Sequence, residues 1–264
     1  MNLSNLFRTL HGMINENELV SCMNMQDDIL EVFGITKEDV SSLADELGVS
    51  NEFFYLNKEG GIFPFCYWDG FFYYGFHSLQ PHIIRGLGGG KYSDVRRFKG
   101  QYERIREHFE SKEWSSVLGM SDKKVSFLVF RYLKEVIPVD QRKHLFLEEY
   151  VRNEYGFHEL DKHMVREILS LATPEQFALP EGYEPDEDGY FTIYRGETPQ
   201  STPVDQTYSW TLDFGTAVFF ANRFSSDGDV KIGSVHMDKV KAFITNKNEA
   251  EVIVFPEDVI RKTI

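Results

Sequence analysis

The sequence predicts an α+β protein with a helical amino-terminal region and a strand-bearing carboxyl end. Three observations predict it. Apolar residues recur at helical spacing in the first fifty positions and again from Ser121 to Ala172. An aromatic stretch from Phe53 to Phe76 is broken by turn residues, and after Gly189 the pattern becomes strand-like.

At 264 residues the chain exceeds the roughly 100 to 200 residues usual for one domain, which favours two units. The expected division is a mainly helical region with an aromatic hairpin over 1–120 and a carboxy-terminal domain over 121–264. Leu3, Leu6, Phe7, Leu10 and Ile14 mark a first helix, and Ile29, Leu30 and Phe33 a second before Gly34. Thr36 with Asp39 forms a capping box ahead of Val40, Leu43 and Leu47, and Gly48 is the stop signal. Asp69-Gly70 is a hairpin turn between FPFCYW and FFYYGF, whose stripe of Phe63, Phe65, Tyr67, Phe71 and Tyr73 reads as core.

The glycine run Gly86, Gly88, Gly89, Gly90 before Lys91 does not make a phosphate loop, because Arg85 stands where that motif needs Gly and Tyr92 where it needs Ser or Thr. It reads as a connector. Arg96, Arg97, Lys99, Arg104 and Arg106 interleave with Glu103 and Glu107, as on a solvated helix face. Val125, Leu128, Val129 and Leu133 predict one helix, Arg142 to Tyr155 another, and Val165, Ile168 and Leu169 a third. Pro180 to Gly189 is an acidic surface loop.

Composition narrows the function classes. With 42 carboxylates against 28 Lys and Arg, the formal charge of −14 opposes nucleic acid unless basic residues are segregated on one face. No apolar run reaches the ~20 residues of a membrane span, and the opening MNLSNLFRTLHG does not read as a signal peptide, which places the chain in a cytoplasm with no membrane partner. Cys22 and Cys66 are too few for a disulfide framework or zinc site and read as buried thiols.

Three pieces near the carboxyl end carry polar residues in unusual places. In YFTIYRG, alternation puts Phe191, Ile193 and Arg195 on one side, so a cation ends an apolar face and calls for an anion. Gly196, without a Cβ, admits close approach of a ligand to the backbone. In YSWT, Ser209 and Thr211 share one face opposite Trp210 and present two hydroxyls to a cleft. Asp213 then caps a helix with Ala217, Phe220, Ala221 and Phe224 as its buried stripe. In NEAEVIVF, Glu249 and Glu251 project to the same side before an apolar strand, where paired carboxylates raise each other's pKa unless compensated.

Together and in this order, over Tyr190 to Glu257, the three pieces resemble the arginine, serine and glutamate motifs of the ADP-ribosyltransferase family, which includes arginine-modifying bacterial toxins and phage enzymes. Glu249-Ala250-Glu251 before VIV is the most specific of them. Ser209-Trp210-Thr211 departs from the Ser-Thr-Ser of many members.

The resemblance implies a split antiparallel β-sheet fold that clasps NAD as substrate, with no metal. It implies Arg195 on an NAD phosphate or ribose, the Gly196 backbone on the nicotinamide amide, and Ser209 orienting a carboxylate with Thr211 beside it. Glu251 would stabilise the oxocarbenium-like ribose, Glu249 would position or deprotonate the acceptor, and Phe219 or Phe220 would pack on nicotinamide. The implied acceptor is a macromolecule, protein arginine first and RNA or DNA second. An antitoxin or inhibitor protein would be a partner in a toxin or defence setting. The rival expectations are an NAD glycohydrolase and a non-catalytic interaction module that keeps the fold.

Overall fold

The computed structural model describes residues 16–57, 65–76, 94–153, 160–199, 201–223, 228–245 and 249–261, and the chain is α+β with antiparallel sheets. The expected helix from Leu3 to Ile14, Phe63 and the glycine run at 86–90 lie outside these residues. The chain divides into two units, Met1–Ile137 and Pro138–Ile264, later than the boundary near 120 read from sequence. The helices just beyond 120 pack into the first unit, and Pro138 marks the break.

In the first unit, helix α1 (Asp27–Val32) ends at Gly34, whose φ of 70° is left-handed. Helix α2 (Lys37–Leu47) begins at the expected capping box, with Thr36 Oγ1 accepting from the Asp39 amide at 3.1 Å and Asp39 Oδ2 from the Thr36 amide at 3.1 Å. It ends at Gly48 in the αL conformation. Strands β1 (Leu19–Ser21), β2 (Phe54–Asn57), β3 (Phe65–Trp68) and β4 (Tyr73–Gly75) form an antiparallel sheet in that order.

The β3–β4 turn spans four residues rather than two, since Trp68 pairs with Tyr73. Asp69 Oδ1 accepts from the Phe71 and Phe72 amides, and Gly70 takes φ 101°. All of β3 is buried. Phe54, Phe65, Tyr67, Phe72 and Phe76 pack with Phe98 of helix α3 (Asp94–Glu110) in a network of edge-on and stacked rings. The outer side of α3 carries Arg96, Lys99, Arg104 and Arg106 exposed, the solvated face expected. Helices α4 (Trp114–Met120) and α5 (Ser126–Leu133) complete the unit. Cys22 and Cys66 are free and buried, and burial pushes the Cys22 thiol up to about 12.

The second unit opens with helix α6 (Val139–Arg152), which starts where Pro138 permits rather than at Arg142. Helix α7 (Lys162–Leu169) is capped by Asp161, and the acidic loop follows. Strands β5 (Tyr190–Glu197), β6 (Ser209–Thr211), β7 (Asp229–His236), β8 (Ala242–Ile244), β9 (Glu251–Ile253) and β10 (Ile260–Arg261) form one antiparallel sheet in the order β10-β7-β5-β6-β9-β8. Helix α8 (Phe214–Asn222) sits between β6 and β7 in sequence, capped by Asp213 as expected.

The sheet's central joint is narrow. β5 pairs with β7 from Tyr190↔His236 to Glu197↔Asp229, and β6 pairs with β9 along its length, but β5 and β6 share only the pair Tyr194↔Thr211. Beyond it the strands part. One face is dry, built from Phe191, Ile193, Trp210, Val235, Phe243 and Val252.

Helix α6 buries Lys143, Phe146, Leu147 and Tyr150, spaced i, i+3, i+4, i+7 on one side. Lys143 is 2% exposed, and its Nζ donates to Leu169 O, Leu171 O and Thr173 Oγ1 at 3.0, 2.9 and 2.8 Å. Thr173 Oγ1 in turn donates to Lys241 O beside β8 at 3.0 Å. The ammonium thus ties α6 to the end of α7 and to the sheet edge.

Burial, and secondarily the charge of Lys241, lowers the Lys143 pKa to about 8. The unfolded chain, with an ordinary lysine near 10.5, then holds more protons between those values, so stability rises as pH climbs from about 8 to 10.5. Lys143→Met should abolish this rise and, by stranding three acceptors, cost about 2–4 kcal/mol at pH 7 in urea unfolding. A variant that is as stable as wild type with the same pH dependence would remove Lys143 from this role.

Candidate active site

The parting of β5 and β6 is where the polar residues meet. Arg195 follows Tyr194 on β5, one residue past the last shared pair. Its side chain is 15% exposed. Its Nη1 donates to Ser209 O on β6 at 2.9 Å and its Nη2 to Thr202 O in the intervening loop at 2.9 Å. The Glu197 carboxylate lies 3.5 Å from Nε as an ion pair without a hydrogen bond. The guanidinium therefore bridges the two halves of the sheet through carbonyl oxygens. Burial lowers its pKa, and Tyr150, Glu197 and Glu251 oppose that shift. The anion that the sequence required for Arg195 is supplied within the protein, by these two glutamates.

On β6 the expected alternation holds. Trp210 is 2% exposed in the dry core, and Ser209 and Thr211 face the other way. The Ser209 hydroxyl donates to Glu251 Oε1 across the β6–β9 ladder. Thr211 has a different part. Its Oγ1 donates to Glu249 O at 2.6 Å and accepts from the Asp213 amide at 3.0 Å, and the residue is buried. Its hydroxyl is spent on backbone, so Thr211 shapes the turn before β9 instead of facing a cleft.

The two glutamates are less alike than their spacing suggests. Period-two reasoning assumes extended backbone, but Ala250 between them takes φ 44°, a left-handed conformation uncommon without glycine. Leu212 N donates to Ala250 O at 3.0 Å, which with the Thr211 bond pins the turn. Glu251 opens β9 and joins Ser209. The Glu249 side chain is half-buried and makes no hydrogen bond or ion pair with a described residue.

Gly196 admits a close approach, but by the protein's own helix. A Cβ there would lie 2.1 Å from Ala217 O and 2.4 Å from the Ala221 amide of α8. Ala217 and Ala221 are buried against the strand, as expected, whereas Phe220 is half-buried and Phe224 lies outside the described residues. Phe219 is 61% exposed, so it is not core. It meets Phe220 edge-on at 5.5 Å, and Phe214 meets Tyr194 at 5.3 Å. Phe214, Val218 and Phe219 leave an exposed apolar flank on α8.

One member of the cluster escaped the sequence reading. Tyr150 of α6 is 4% exposed, with Glu251, Arg195 and Ser209 near enough to act on its phenol. In sequence it is one apolar position of a helical stripe. The available signal was chemical, since a buried tyrosine hydroxyl requires a polar partner. Glu197 was likewise unforeseen.

Gly196→Ala should force α8 off β5 and destabilise the protein by about 2 kcal/mol or more in thermal unfolding, because the clash is with backbone and no side chain can yield. An unchanged melting temperature would contradict this packing. The chain matches no family model, no characterised protein and no solved structure, so the chemistry of this site rests on its own geometry.

Proposed function

We propose that the second unit is a mono-ADP-ribosyltransferase that cleaves NAD at the nicotinamide–ribose bond and transfers ADP-ribose to a macromolecular acceptor. The observation that carries this reading is the hydroxyl-oriented carboxylate of Glu251, held by Ser209 beside buried Arg195 where β5 and β6 part. The sheet's two halves, joined by one pair, also suit the split antiparallel fold that the three motifs imply.

The chemistry follows from charge. As the C1′–N bond breaks, nicotinamide leaves with the bonding pair and the ribose becomes positive. A fixed carboxylate next to C1′ stabilises that state more than the ground state. Ser209 orients the Glu251 carboxylate, and on this reading that carboxylate meets the ribose 2′-hydroxyl. Arg195 keeps N–H groups beyond its two carbonyl bonds, and with its charge already answered by Glu197 and Glu251 these serve as donors to a ribose oxygen of NAD. The acceptor nucleophile then bonds to C1′, and Glu249, whose carboxylate has no described partner, takes its proton. Protein arginine suits a carboxylate in that position best, by charged hydrogen bonding, and the acidic chain disfavours RNA or DNA. Phe220, half-buried on α8, is available for the nicotinamide ring.

Purified protein should release nicotinamide from NAD, and Glu251→Gln should lower that rate by about 10²–10³-fold, the scale for losing one transition-state electrostatic partner. Labelled NAD with cell lysate should mark protein in preference to nucleic acid. Absence of release, with NAD failing to raise the melting temperature, would refute the reading and favour an interaction module. Release without any labelled acceptor would leave an NAD glycohydrolase.

A further inference from the structure

Helix α8 is apolar on every side, with Phe214, Ala217, Val218, Phe219, Phe220 and Ala221 distributed around it. A helix of that kind is ordinarily buried all round. Here the strand takes the small residues, Ala217 and Ala221, because Gly196 lets the two backbones meet. Phe214, Val218 and Phe219 are left 51%, 37% and 61% exposed, so the bulkier apolar groups do little to hold the helix on the sheet. Phe214 and Val218 stand one turn apart, with Phe219 beside them. Exposed apolar groups clustered in this way, with charged residues at the rim, mark a surface that meets something else.

The head of this flank abuts the turn that carries Glu249. The Asp213 amide donates to Thr211 Oγ1 at 3.0 Å, and that hydroxyl donates to Glu249 O at 2.6 Å, so the helix cap is tied to the Glu249 backbone through one side chain. Leu212 N adds a bond to Ala250 O at 3.0 Å. The Asp213 carboxylate is exposed and held as the cap by the Thr216 amide, which keeps its carboxyl below the usual range and therefore ionised at neutral pH. Two carboxylates, Asp213 and Glu249, thus stand at the head of the flank. At its tail the exposed Arg223 lies over the Phe220 ring, 5.9 Å from the ring centre.

We infer that this flank is where the acceptor protein docks, with an apolar side chain on Phe214, Val218 and Phe219 and the arginine to be modified directed at Glu249. The inference rests on the function proposed above and adds the partner's local chemistry, an arginine with an apolar neighbour. Charge selects the occupant. Carboxylates at the head attract a guanidinium and repel the phosphates of RNA, DNA and anionic lipid. Arg223 at the tail sets the direction, with the partner's cation toward Glu249. Size argues against a second copy of the chain. Nine residues make a helix of ~14 Å. Three side chains on it fall well short of the roughly 800 Å² per partner of a stable interface. So small an apolar footing suits a partner that binds, is modified and leaves.

The surface is tested in the full chain with short synthetic peptides, each holding a central arginine in a glycine and serine background with leucines at varied spacing from it. The Val218 methyl groups, ¹³C-labelled and assigned with Val218→Ile, are followed by NMR. They should shift with at least one leucine–arginine peptide. They should stay in place with the same peptide carrying glutamate for arginine, with the leucine-free peptide and with a single-stranded oligonucleotide. In transfer of labelled ADP-ribose, Phe214→Ser and Val218→Lys should lower kcat/KM for that peptide about tenfold through KM, while transfer to arginine amide and nicotinamide release stay within about twofold of wild type. Should Phe214→Ser lower the melting temperature through its contact with Tyr194, Val218→Lys carries the test.

Val218 methyl groups indifferent to every leucine–arginine peptide overturn the inference. So do variants that leave peptide transfer unchanged or that lower transfer to peptide and arginine amide alike. Shifts that follow protein concentration alone assign the flank to a second copy, and shifts with the oligonucleotide assign it to nucleic acid. Either result overturns it. Protein that binds the peptide at Val218 yet releases no nicotinamide refutes the proposed activity and leaves a docking surface for a cationic, apolar segment standing. Transfer to arginine amide with no preference for leucine-bearing peptides keeps the activity and removes the surface.

Discussion

The carboxy-terminal unit depends on where one cation is placed. An arginine side chain with so little exposure carries a desolvation cost of several kcal/mol unless its charge and its N–H groups are answered. Arg195 is answered by two carbonyls, from Ser209 and Thr202, and by two carboxylates, Glu197 and Glu251. Each comes from a different position along the chain, so satisfying one guanidinium fixes β5, the loop after it, β6 and β9 together. The same demand accounts for the narrow joint of the sheet. If β5 and β6 stayed paired beyond Tyr194↔Thr211, the Ser209 carbonyl would be turned to the ladder rather than to Arg195.

Helix α8 closes the other side of this arrangement. It can lie directly on β5 because Gly196 has no side chain, and its small residues Ala217 and Ala221 face the strand. Its bulky apolar residues are left outward, with Phe214, Val218 and Phe219 exposed. The glycine therefore trades access for proximity. It brings α8 and Phe220 close to the opening in the sheet, at the expense of the backbone access expected from sequence alone.

What could be read in advance divides by range. The capping box of Thr36 and Asp39, the Gly48 stop, the Asp213 cap and the alternation that buries Phe191 and Ile193 are settled within a few residues, and all stand in the structure. The pairing of Ser209 with Glu251 was reachable through the resemblance of the motifs, not through spacing. Thr211, Gly196 and Tyr150 were misjudged or missed because their partners are distant in sequence. A hydroxyl on a strand looks the same whether it faces a cleft or a carbonyl such as that of Glu249. A tyrosine in a helical stripe looks like core until the residue opposite its hydroxyl is known.

The turn at Ala250 shows why two carboxylates so close in sequence need not share a role. In extended backbone Glu249 and Glu251 would stand on one face and repel. A left-handed Ala250 costs roughly 1–2 kcal/mol, but it breaks the alternation and separates them. Glycine would avoid that strain, yet Ala250 is buried and its methyl contributes packing that glycine would lose. The Thr211 and Leu212 bonds to the carbonyls of Glu249 and Ala250 hold the conformation against its strain. The outcome is an asymmetric pair. Glu251 is locked to Ser209, as a group that must meet developing charge at a fixed point has to be, while Glu249 keeps its carboxylate unengaged by described residues. On the proposed reading that asymmetry separates the two halves of a transfer reaction, bond cleavage at the rigid carboxylate and acceptor capture at the adaptable one.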